Sequence, residues 1–388
     1  MTASPLVFVT AGEPSGDALG ARLMAALSTL SGGRIRFAGV GGPRMAAQGL
    51  ETLFPMADLS VMGAAEVLPR APLLLRRIRE TVSAVQRFGP AAVVTIDSPG
   101  FSFRVQRRLE PGRTRRIHYV APSVWAWRPG RARRIAGFLD RVLCLLPFEP
   151  PYFEREGLAA DFVGHPVVEE GADAGDGAAF RVRHDLGDAP ILAVLPGSRR
   201  SETARLLPIF GRTVTSLVTS RPNLRIVVPT VSTVADPVRD VVRTWPGAPV
   251  VVEDVQEKFD AFAAARAALA ASGTVSLELA LARVPMVIAY RINPVTYAWV
   301  KPLIRLKHVT LANILLDRGA VPECLQGRCR SDVLEAEVGC LLDDDGVHRV
   351  QQADLAEAVR RLGAGGEAPS RRAARAVMAA IGMAGGTR

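Results

Sequence analysis

Residues 6–17, Leu-Val-Phe-Val-Thr-Ala-Gly-Glu-Pro-Ser-Gly-Asp, join a short apolar run to a turn that contains glycine and proline. The run Leu6–Thr10 has the length and the β-branched content of a buried strand. The residues after the turn are predicted to form a helix, because leucines recur at the spacing of one buried helix face: Leu19, Leu23, Leu27 and Leu30. Strand, turn and helix in this order are typical of a parallel α/β unit.

The same alternation continues along most of the chain. Further strands are predicted at Ala91–Ile96, Ile117–Val120, Val142–Leu145, Ile191–Leu195, Arg225–Pro229, Val250–Val252, Ala267–Ala271 and Met286–Tyr290. Because 388 residues exceed one ordinary core, we expect two doubly wound, Rossmann-like domains. The predicted parts are an N-terminal domain at 1–168, a linker at 169–189, a C-terminal domain at 190–350, and terminal helices at 351–388 that return to the first domain.

Two such domains predict a ligand cleft between them, at the carboxyl ends of the strands. This arrangement fits the GT-B architecture of glycosyltransferases. Dehydrogenases and periplasmic-type binding proteins show the same alternation of strands and helices, so the alternation alone leaves those classes open.

Composition narrows the class of protein. Hydrophobic residues make up 48% and charged residues 22% of the chain, which indicates a well-buried globular protein. The net charge of +10 favours anionic partners. Four scattered cysteines without a CxxC pair indicate reduced thiols, and we expect no metal site. We predict neither a signal peptide nor a transmembrane helix, so any membrane contact is expected to be peripheral.

Two turns in the second half have the character of phosphate and sugar sites. Gly197, Ser198 and Arg199 follow a predicted strand and open a helix, where backbone N–H groups and a guanidinium favour a diphosphate. The second turn, Ser272-Gly273-Thr274, precedes Glu278, which could accept hydrogen bonds from ribose hydroxyls. The alternatives are a helix cap with a surface arginine, and an acid that favours a helix N-terminus. Neither turn matches GxxxxGK[ST] or GxGxxG, which argues against a P-loop ATPase and a standard dinucleotide fold.

Asp97 is the candidate general base. It follows an apolar strand and precedes Ser98-Pro99-Gly100, so it is expected at the carboxyl end of a strand. Partial burial there would raise its proton affinity and let it deprotonate a sugar hydroxyl. The alternative is an aspartate that only forms a turn before proline.

A series of sequence blocks, in a fixed order, resembles one family. The first-half blocks are Ala11–Asp17, Gly39–Met45, Val61–Gly63, Ile96–Pro99, His118–Arg128, Leu146–Glu149 and Val163–Pro166. Leu195–Arg199, Ala271–Thr274 and Glu278 continue the series. Together they resemble the lipid-A-disaccharide synthases over roughly residues 6–330, most specifically in the Tyr119–Trp127 run, Tyr-Val-Ala-Pro-Ser-Val-Trp-Ala-Trp.

The resemblance implies a GT-B fold, no metal, and transfer of 2,3-diacylglucosamine from its UDP derivative to 2,3-diacylglucosamine 1-phosphate. The implied products are a β(1→6)-linked disaccharide and UDP. By family analogy Asp97 acts on the 6-hydroxyl of the acceptor, and the donor site includes Asn313, Glu323 and Gln326. The matching blocks also supply candidates for the acceptor site or the rest of the cleft: Glu13, Ser15, Asp17, Met62, Ser123, Trp125 and Arg128.

Acylated substrates must be drawn from a bilayer, and two segments are candidates for contact with it. In the segment 294–308, aromatic and aliphatic side chains are interleaved with cations: Tyr297, Trp299, Lys301, Leu303, Arg305 and Lys307. The second candidate is Val61–Ile78. The alternative for both segments is an amphipathic helix whose apolar stripe packs into the core.

The expected partners are therefore the two acylated sugars and the anionic surface of the inner membrane, on its cytoplasmic side. Family precedent also allows a homodimer. The basic stretch Arg113–Arg116 and the arginines at 128, 131, 133 and 134 would suit a nucleic acid, but no recognised nucleic-acid motif accompanies them, so none is expected. The alternatives are a GT-B enzyme with a polyprenyl-linked acceptor, a UDP-sugar epimerase, and a non-catalytic protein that binds nucleotide and membrane.

Overall fold

The computed structural model describes residues 4–59, 64–126, 130–293, 297 and 307–383, and gives only the backbone of residues 64–69. The strands are β1 (Leu6–Ala11), β2 (Arg36–Val40), β3 (Ala92–Ile96), β4 (Arg115–Tyr119), β5 (Arg141–Cys144), β6 (Ala159–Phe162), β7 (Ile191–Leu195), β8 (Arg225–Pro229), β9 (Val250–Val252), β10 (Ala267–Ala271), β11 (Met286–Tyr290) and β12 (Glu323–Leu325). The helices are α1 (Pro14–Ser31), α2 (Pro43–Ala46), α3 (Ala64–Phe88), α4 (Pro99–Gln106), α5 (Arg131–Ala136), α6 (Pro150–Glu154), α7 (Gly177–Arg183), α8 (Arg200–Ser220), α9 (Ala235–Val242), α10 (Val255–Ala264), α11 (Val275–Leu281), α12 (Leu311–Leu316), α13 (Ser331–Asp343), α14 (Asp345–Arg361) and α15 (Pro369–Ala380).

The chain divides into two compact units, of which the first comprises Met1–Pro166 and Gly366–Arg388. Its sheet is parallel, in the order β2-β1-β3-β4-β5-β6. After β1 the chain adds β2 on one side, and it later adds β3 on the other. The strand order therefore reverses between β1 and β3, and open α/β sheets bind ligands at such a point, beyond the carboxyl ends of the strands.

One core cluster of the first unit lies between its sheet and helices α1 and α15. Leu19, Leu23, Leu27 and Leu30 are all buried, which confirms the helix face predicted from their spacing. Alanines of α15 and Val377 share this core with α1. The last helix therefore belongs to the first unit, whereas α14 lies in the second.

Asp17, a candidate for contact with the acceptor, lies inside the first unit. Its buried carboxylate accepts hydrogen bonds from the backbone N–H groups of Gly42, Arg44 and Met45, at 2.8, 3.0 and 3.0 Å. These N–H groups begin α2 and have no partner within that helix. The structure thus gives Asp17 the task of capping α2 and holding it against α1.

Replacing Asp17 by alanine is expected to lower the free energy of unfolding by about 3 kcal/mol, because three buried N–H groups lose a charged acceptor. Urea denaturation measures this change. Glu51→Ala removes an exposed carboxylate from the same unit and is expected to change stability by less than about 0.5 kcal/mol. Equal effects of the two substitutions would contradict the capping role.

The second unit, Val167–Gly365, contains a parallel sheet in the order β12-β11-β10-β7-β8-β9. The predicted strands at 191–195, 225–229, 250–252, 267–271 and 286–290 are confirmed residue for residue. The chain runs from β7 to β8 and β9 on one side and then returns to β10 on the other. The reversal point of this sheet lies between β7 and β10.

The segment 169–189, predicted as a linker, contains helix α7 within the second unit. Asp176 caps this helix by accepting a hydrogen bond from the Ala179 N–H group. Phe180 is fully buried in a cluster with residues of β7 and α10, among them Ile191 and Ala261. The composition of this segment suggested a linker because small and charged residues outnumber large apolar ones, but the buried Phe180 and Leu186 anchor it.

Candidate functional site

A pocket of about 320 Å³ lies at the reversal point of the second unit. Strands β7 and β10 pair with Leu195 opposite Ala270, so the turns that follow the two strands meet at one edge of the sheet. The pocket is lined by residues of both predicted turns, namely Gly197, Ser198, Arg199, Ser272, Gly273 and Thr274, and by Glu278. The structure thus brings together two sequence features that are more than seventy residues apart.

The first turn requires glycine. Gly197 has a φ of 106°, and a Cβ atom there would approach the Glu202 Oε2 atom to 2.6 Å. Arg199 is the N-cap residue of α8, a helix of 21 residues, and its side chain is exposed. The free N–H groups of a helix start, together with a guanidinium, favour an anion such as a diphosphate at this point.

Sequence reasoning missed Lys258. Its Nζ atom lies 2.7 Å from the Glu278 Oε2 atom, and it stands 4.6 Å from the centroid of the Phe259 ring. The side chains are only 20% and 13% exposed, so the pair is largely withdrawn from solvent. The sequence does not distinguish a lysine that faces a pocket from one that faces solvent, because both occur on amphipathic helices. By contrast, Thr230 and Val231, which also line the pocket, follow a predicted strand end and could have been proposed from it.

Asn313, Glu323 and Gln326 are not among the described residues that line this pocket. The Asn313 side chain donates to the Val321 carbonyl and to the Glu323 Oε1 atom, and accepts from the Val321 N–H group. The Glu323 carboxylate also accepts from the N–H groups of Val309 and Thr310. These bonds shape the loop around α12, and contact with a donor stays a prediction for all three residues.

In the first unit, Asp97 follows β3 beside the end of β1, at the reversal point of the sheet. Its N–H group donates to the Tyr119 carbonyl at 2.9 Å, and its carbonyl accepts from the Ser102 hydroxyl at 2.7 Å. Asp97, Ser98 and Val120 have φ values of 46°, 43° and 78°, in the left-handed region. Each such non-glycine residue costs about 1 kcal/mol or more, and strain of this kind is concentrated at functional sites.

The Asp97 carboxyl is half-buried, and this burial raises its pKa above the ordinary value, partly opposed by the Ser98 N–H group. It lines a pocket of about 240 Å³ together with His118, Ser123 and Arg131. A carboxylate with raised proton affinity at a pocket has the properties that proton abstraction needs. Of the acceptor candidates that the structure describes, Ser123 shares this pocket with Asp97.

Trp125 contacts the segment that joins β5 to α6. Its indole N–H group donates to the Glu149 Oε1 atom at 3.0 Å, and its ring meets Phe148 edge-on at 5.1 Å. Glu149 also accepts from the N–H groups of Leu145 and Leu146, and burial raises its pKa to about 7. A buried carboxylate therefore holds part of the most specific sequence block in place.

The remaining candidates are divided between described and undescribed parts of the chain. Glu13 lines a further pocket of about 230 Å³ with Ser98 and Arg104, whereas Ser15 is exposed in the first turn of α1. Tyr297 is half-buried and Lys307 is exposed. The other candidates lie outside the described residues: Met62, Arg128, Trp299, Lys301, Leu303 and Arg305.

Two further findings concern only the part of the chain that the structure describes. There, no three or more His, Cys, Asp and Glu side chains come together in the way that metal ligands do. No helix there has both the length and the apolar character that crossing a bilayer requires.

Comparison with known proteins identifies the family. A family model described as lipid-A-disaccharide synthetase matches residues 7–378. A lipid-A-disaccharide synthase of Rhodospirillum centenum is 57% identical over 379 residues, which cover 97% of this chain and 94% of that protein. The chain belongs to the lipid-A-disaccharide synthetase family. It is a glycosyltransferase of lipid A biosynthesis, as the ordered sequence blocks predicted.

Solved structures place this synthetase family member in the GT-B fold. S. aureus MnaA, in a co-structure with UDP, matches with a TM-score of 0.68 at 12% identity, covering 99% of this chain and 98% of that one. The calicheamicin glycosyltransferase CalG4 matches with a TM-score of 0.60 at 16% identity, covering 98% and 99%. Identities this low show the fold alone. The family model and the relative at 57% identity favour a lipid A enzyme over the epimerase alternative.

Proposed function

We propose that this enzyme transfers 2,3-diacylglucosamine from UDP to the 6-hydroxyl of 2,3-diacylglucosamine 1-phosphate. The observation that carries the proposal is the half-buried Asp97, whose pKa is raised by burial, at the reversal point of the first sheet. Membership of the family supports the substrate class, a UDP-sugar and a lipid-linked acceptor. The products are the β(1→6)-linked disaccharide 1-phosphate and UDP.

The proposed reaction needs one base and one stabilised leaving group. Asp97 accepts the proton of the 6-hydroxyl while that oxygen attacks the anomeric carbon of the donor sugar. The new carbon–oxygen bond forms on the face opposite the nucleotide, the bond to the β-phosphate oxygen breaks, and UDP leaves with the electron pair. A single displacement of this kind inverts the anomeric configuration.

The pocket of the second unit is the proposed donor site. Arg199 and the N–H groups at the start of α8 would stabilise the diphosphate as its charge increases during bond breaking. Glu278 would accept hydrogen bonds from the ribose, and Lys258, paired with it, adds a second cation to the pocket. This division assigns leaving-group stabilisation to the second unit and proton abstraction to the first.

The direct experiment is product analysis with the purified chain. UDP-2,3-diacylglucosamine and 2,3-diacylglucosamine 1-phosphate in mixed micelles should yield the disaccharide and an equal amount of UDP. A folded sample that forms no disaccharide would refute the proposed substrates. An epimerised UDP-sugar formed without acceptor would instead select the epimerase.

The dependence of turnover on pH follows from the raised pKa of Asp97. The base works only when ionised, so kcat/KM should fall as the pH falls through this pKa, and the acid limb should lie above the ordinary aspartate value of 3.8. A pH–rate profile measures the limb. The acceptor phosphate also titrates, near pH 6, and could produce a limb of its own. The control is the pH profile of the residual activity of Asp97→Asn, which keeps the acceptor phosphate but lacks the carboxylate. A limb that persists unchanged in this variant would not belong to Asp97.

We propose that the segment 294–308 binds an anionic membrane surface, a proposal supported by its alternating aromatic and cationic residues. Reversing Lys301, Arg305 and Lys307 to glutamate should weaken sedimentation with phosphatidylglycerol vesicles by about tenfold or more. The matched control reverses the exposed Arg44, Arg212 and Arg349. Equal binding by both triple variants would reject this surface.

Light scattering of the parent enzyme tests the homodimer that the family precedent allows.

A further inference from the structure

A cavity in the first unit is lined by arginines. It has a volume of about 600 Å³, and four guanidinium groups border it: Arg104, Arg107, Arg131 and Arg134. Arg104 and Arg107 are three residues apart at the end of α4, and Arg131 and Arg134 have the same spacing in α5. This spacing places both members of each pair on one helix face, so two helices present their cations to the same space.

Carboxylates do not neutralise most of this charge. Among the described residues, none of the ion pairs within 4 Å involves Arg104, Arg107 or Arg134, although many other arginines of the chain are paired. Aromatic rings also contact two of the guanidinium groups. Arg107 lies 4.7 Å from the centroid of the Phe138 ring, and Arg131 lies 5.6 Å from that of Phe103. Cations gathered in this way repel each other, and a bound anion reduces this repulsion.

The cavity adjoins the candidate base. Pro99 and Arg131 border both this cavity and the smaller pocket that Asp97 lines. An acceptor saccharide carries its phosphate on the anomeric carbon C1 and its attacking hydroxyl on C6. The ring oxygen of the pyranose joins C1 to C5, and C5 carries C6, so the two groups lie on neighbouring parts of one ring. Two neighbouring pockets can therefore hold the phosphate and the hydroxyl of the same sugar.

We propose that the arginine cavity binds the phosphomonoester of the acceptor. This inference rests on the proposed function, because it takes the acceptor to be a sugar 1-phosphate. A phosphomonoester carries nearly two negative charges at neutral pH and three acceptor oxygens, which several guanidinium groups can contact at once. The cavity thereby selects an acceptor that has a phosphate and directs its C6 end towards Asp97.

The kinetic test uses the double variant Arg104→Gln and Arg134→Gln, which removes one cation from each helix. Both side chains are exposed, so the fold should survive. Each lost charge-assisted contact weakens binding by about tenfold, so the acceptor KM should rise by between about tenfold and a hundredfold. The KM for the UDP-sugar should not change. The control is Arg108→Gln, which alters an exposed arginine of the same segment that does not line the cavity.

A binding measurement separates the sources of phosphate and does not depend on turnover. Neutral phosphatidylcholine vesicles are doped with 2,3-diacylglucosamine 1-phosphate, with its dephosphorylated form, or with phosphatidylglycerol. The parent should prefer the first to the second, and the double variant should lose this preference while it still binds phosphatidylglycerol like the parent. An equal loss towards phosphatidylglycerol would overturn the proposal, because the arginines would then bind lipid headgroups in general.

Failure of the proposed function and failure of the cavity assignment give different experimental results. A parent enzyme that forms no disaccharide contradicts the proposed function, and the vesicle measurement then still decides whether the cavity recognises a sugar phosphate. A parent that forms disaccharide, together with a double variant that keeps the acceptor KM and the vesicle preference of the parent, overturns the cavity assignment alone.

Discussion

Replacing Asp97 by asparagine is expected to lower kcat by about a thousandfold, because the variant keeps the shape of the side chain but cannot accept a proton. Asparagine tolerates the left-handed backbone that Asp97 adopts, with a φ of 46°, so the turn should persist. Product formation under saturating substrates measures kcat. UDP affinity should stay the same, because the proposed nucleotide pocket belongs to the other unit.

The matched control is Asp161→Asn, the same chemical change at a half-buried carboxylate of the first unit. Asp161 pairs with Arg141 at 2.6 Å, and a partly exposed ion pair of this kind contributes about 1 kcal/mol or less to stability. Its turnover should match that of the parent. If Asp97→Asn kept more than about a tenth of the parent kcat while melting at the same temperature, another group would be the base.

The second large effect is expected for Arg199→Ala, which should lower kcat by about a hundredfold or more. The guanidinium stands at the N-terminus of α8 in the pocket of the second unit, where charge develops as UDP departs. An interaction that strengthens during bond breaking affects kcat more than the KM of the donor. Steady-state kinetics with both substrates varied separates the two parameters.

Arg212→Ala is the control for this prediction, because Arg212 is an exposed residue of the same helix, away from its start. It should leave both kinetic parameters unchanged. A variant at Arg199 that raises only the donor KM would show that the arginine binds the ground state and the transition state equally. In that case it would not stabilise the leaving group in particular.

Much of the fold could be predicted because buried parallel strands form continuous apolar runs. The interior strands β1, β3, β7 and β10 are apolar except for the buried Thr10 and Thr95, and each was predicted to within a residue at either end. The strands β2, β6 and β12 were missed. All three lie at an edge of their sheet, where cover is incomplete, and the residues of β6 are only half-buried or exposed. These three edge strands therefore lack the continuous buried run on which sequence reasoning depends, whereas the edge strand β9 is three valines and was predicted.

The parts of the candidate site that lie next to apolar strands could also be predicted from the sequence. Turns that come directly after apolar strands were predictable, because parallel strands end at one edge of the sheet, and the turns at 197–199 and 272–274 do line one pocket. The buried position of Asp17 could not be predicted in this way. In the sequence it stands in the same turn as Glu13 and Ser15, and only the position of α2 shows that its carboxylate faces the interior.

The sequence alone determined the alternation of strands and helices, the two glycine turns, the position of Asp97 and the family, since each of these depends on residues adjacent in the chain. Tertiary structure alone decided which distant side chains share a pocket. Lys258 reaches Glu278, and the arginines of α4 and α5 surround one cavity, because helix packing brings these side chains together. A cation on a helix has the same sequence pattern whether it faces solvent or a ligand, so only the packing distinguishes the two.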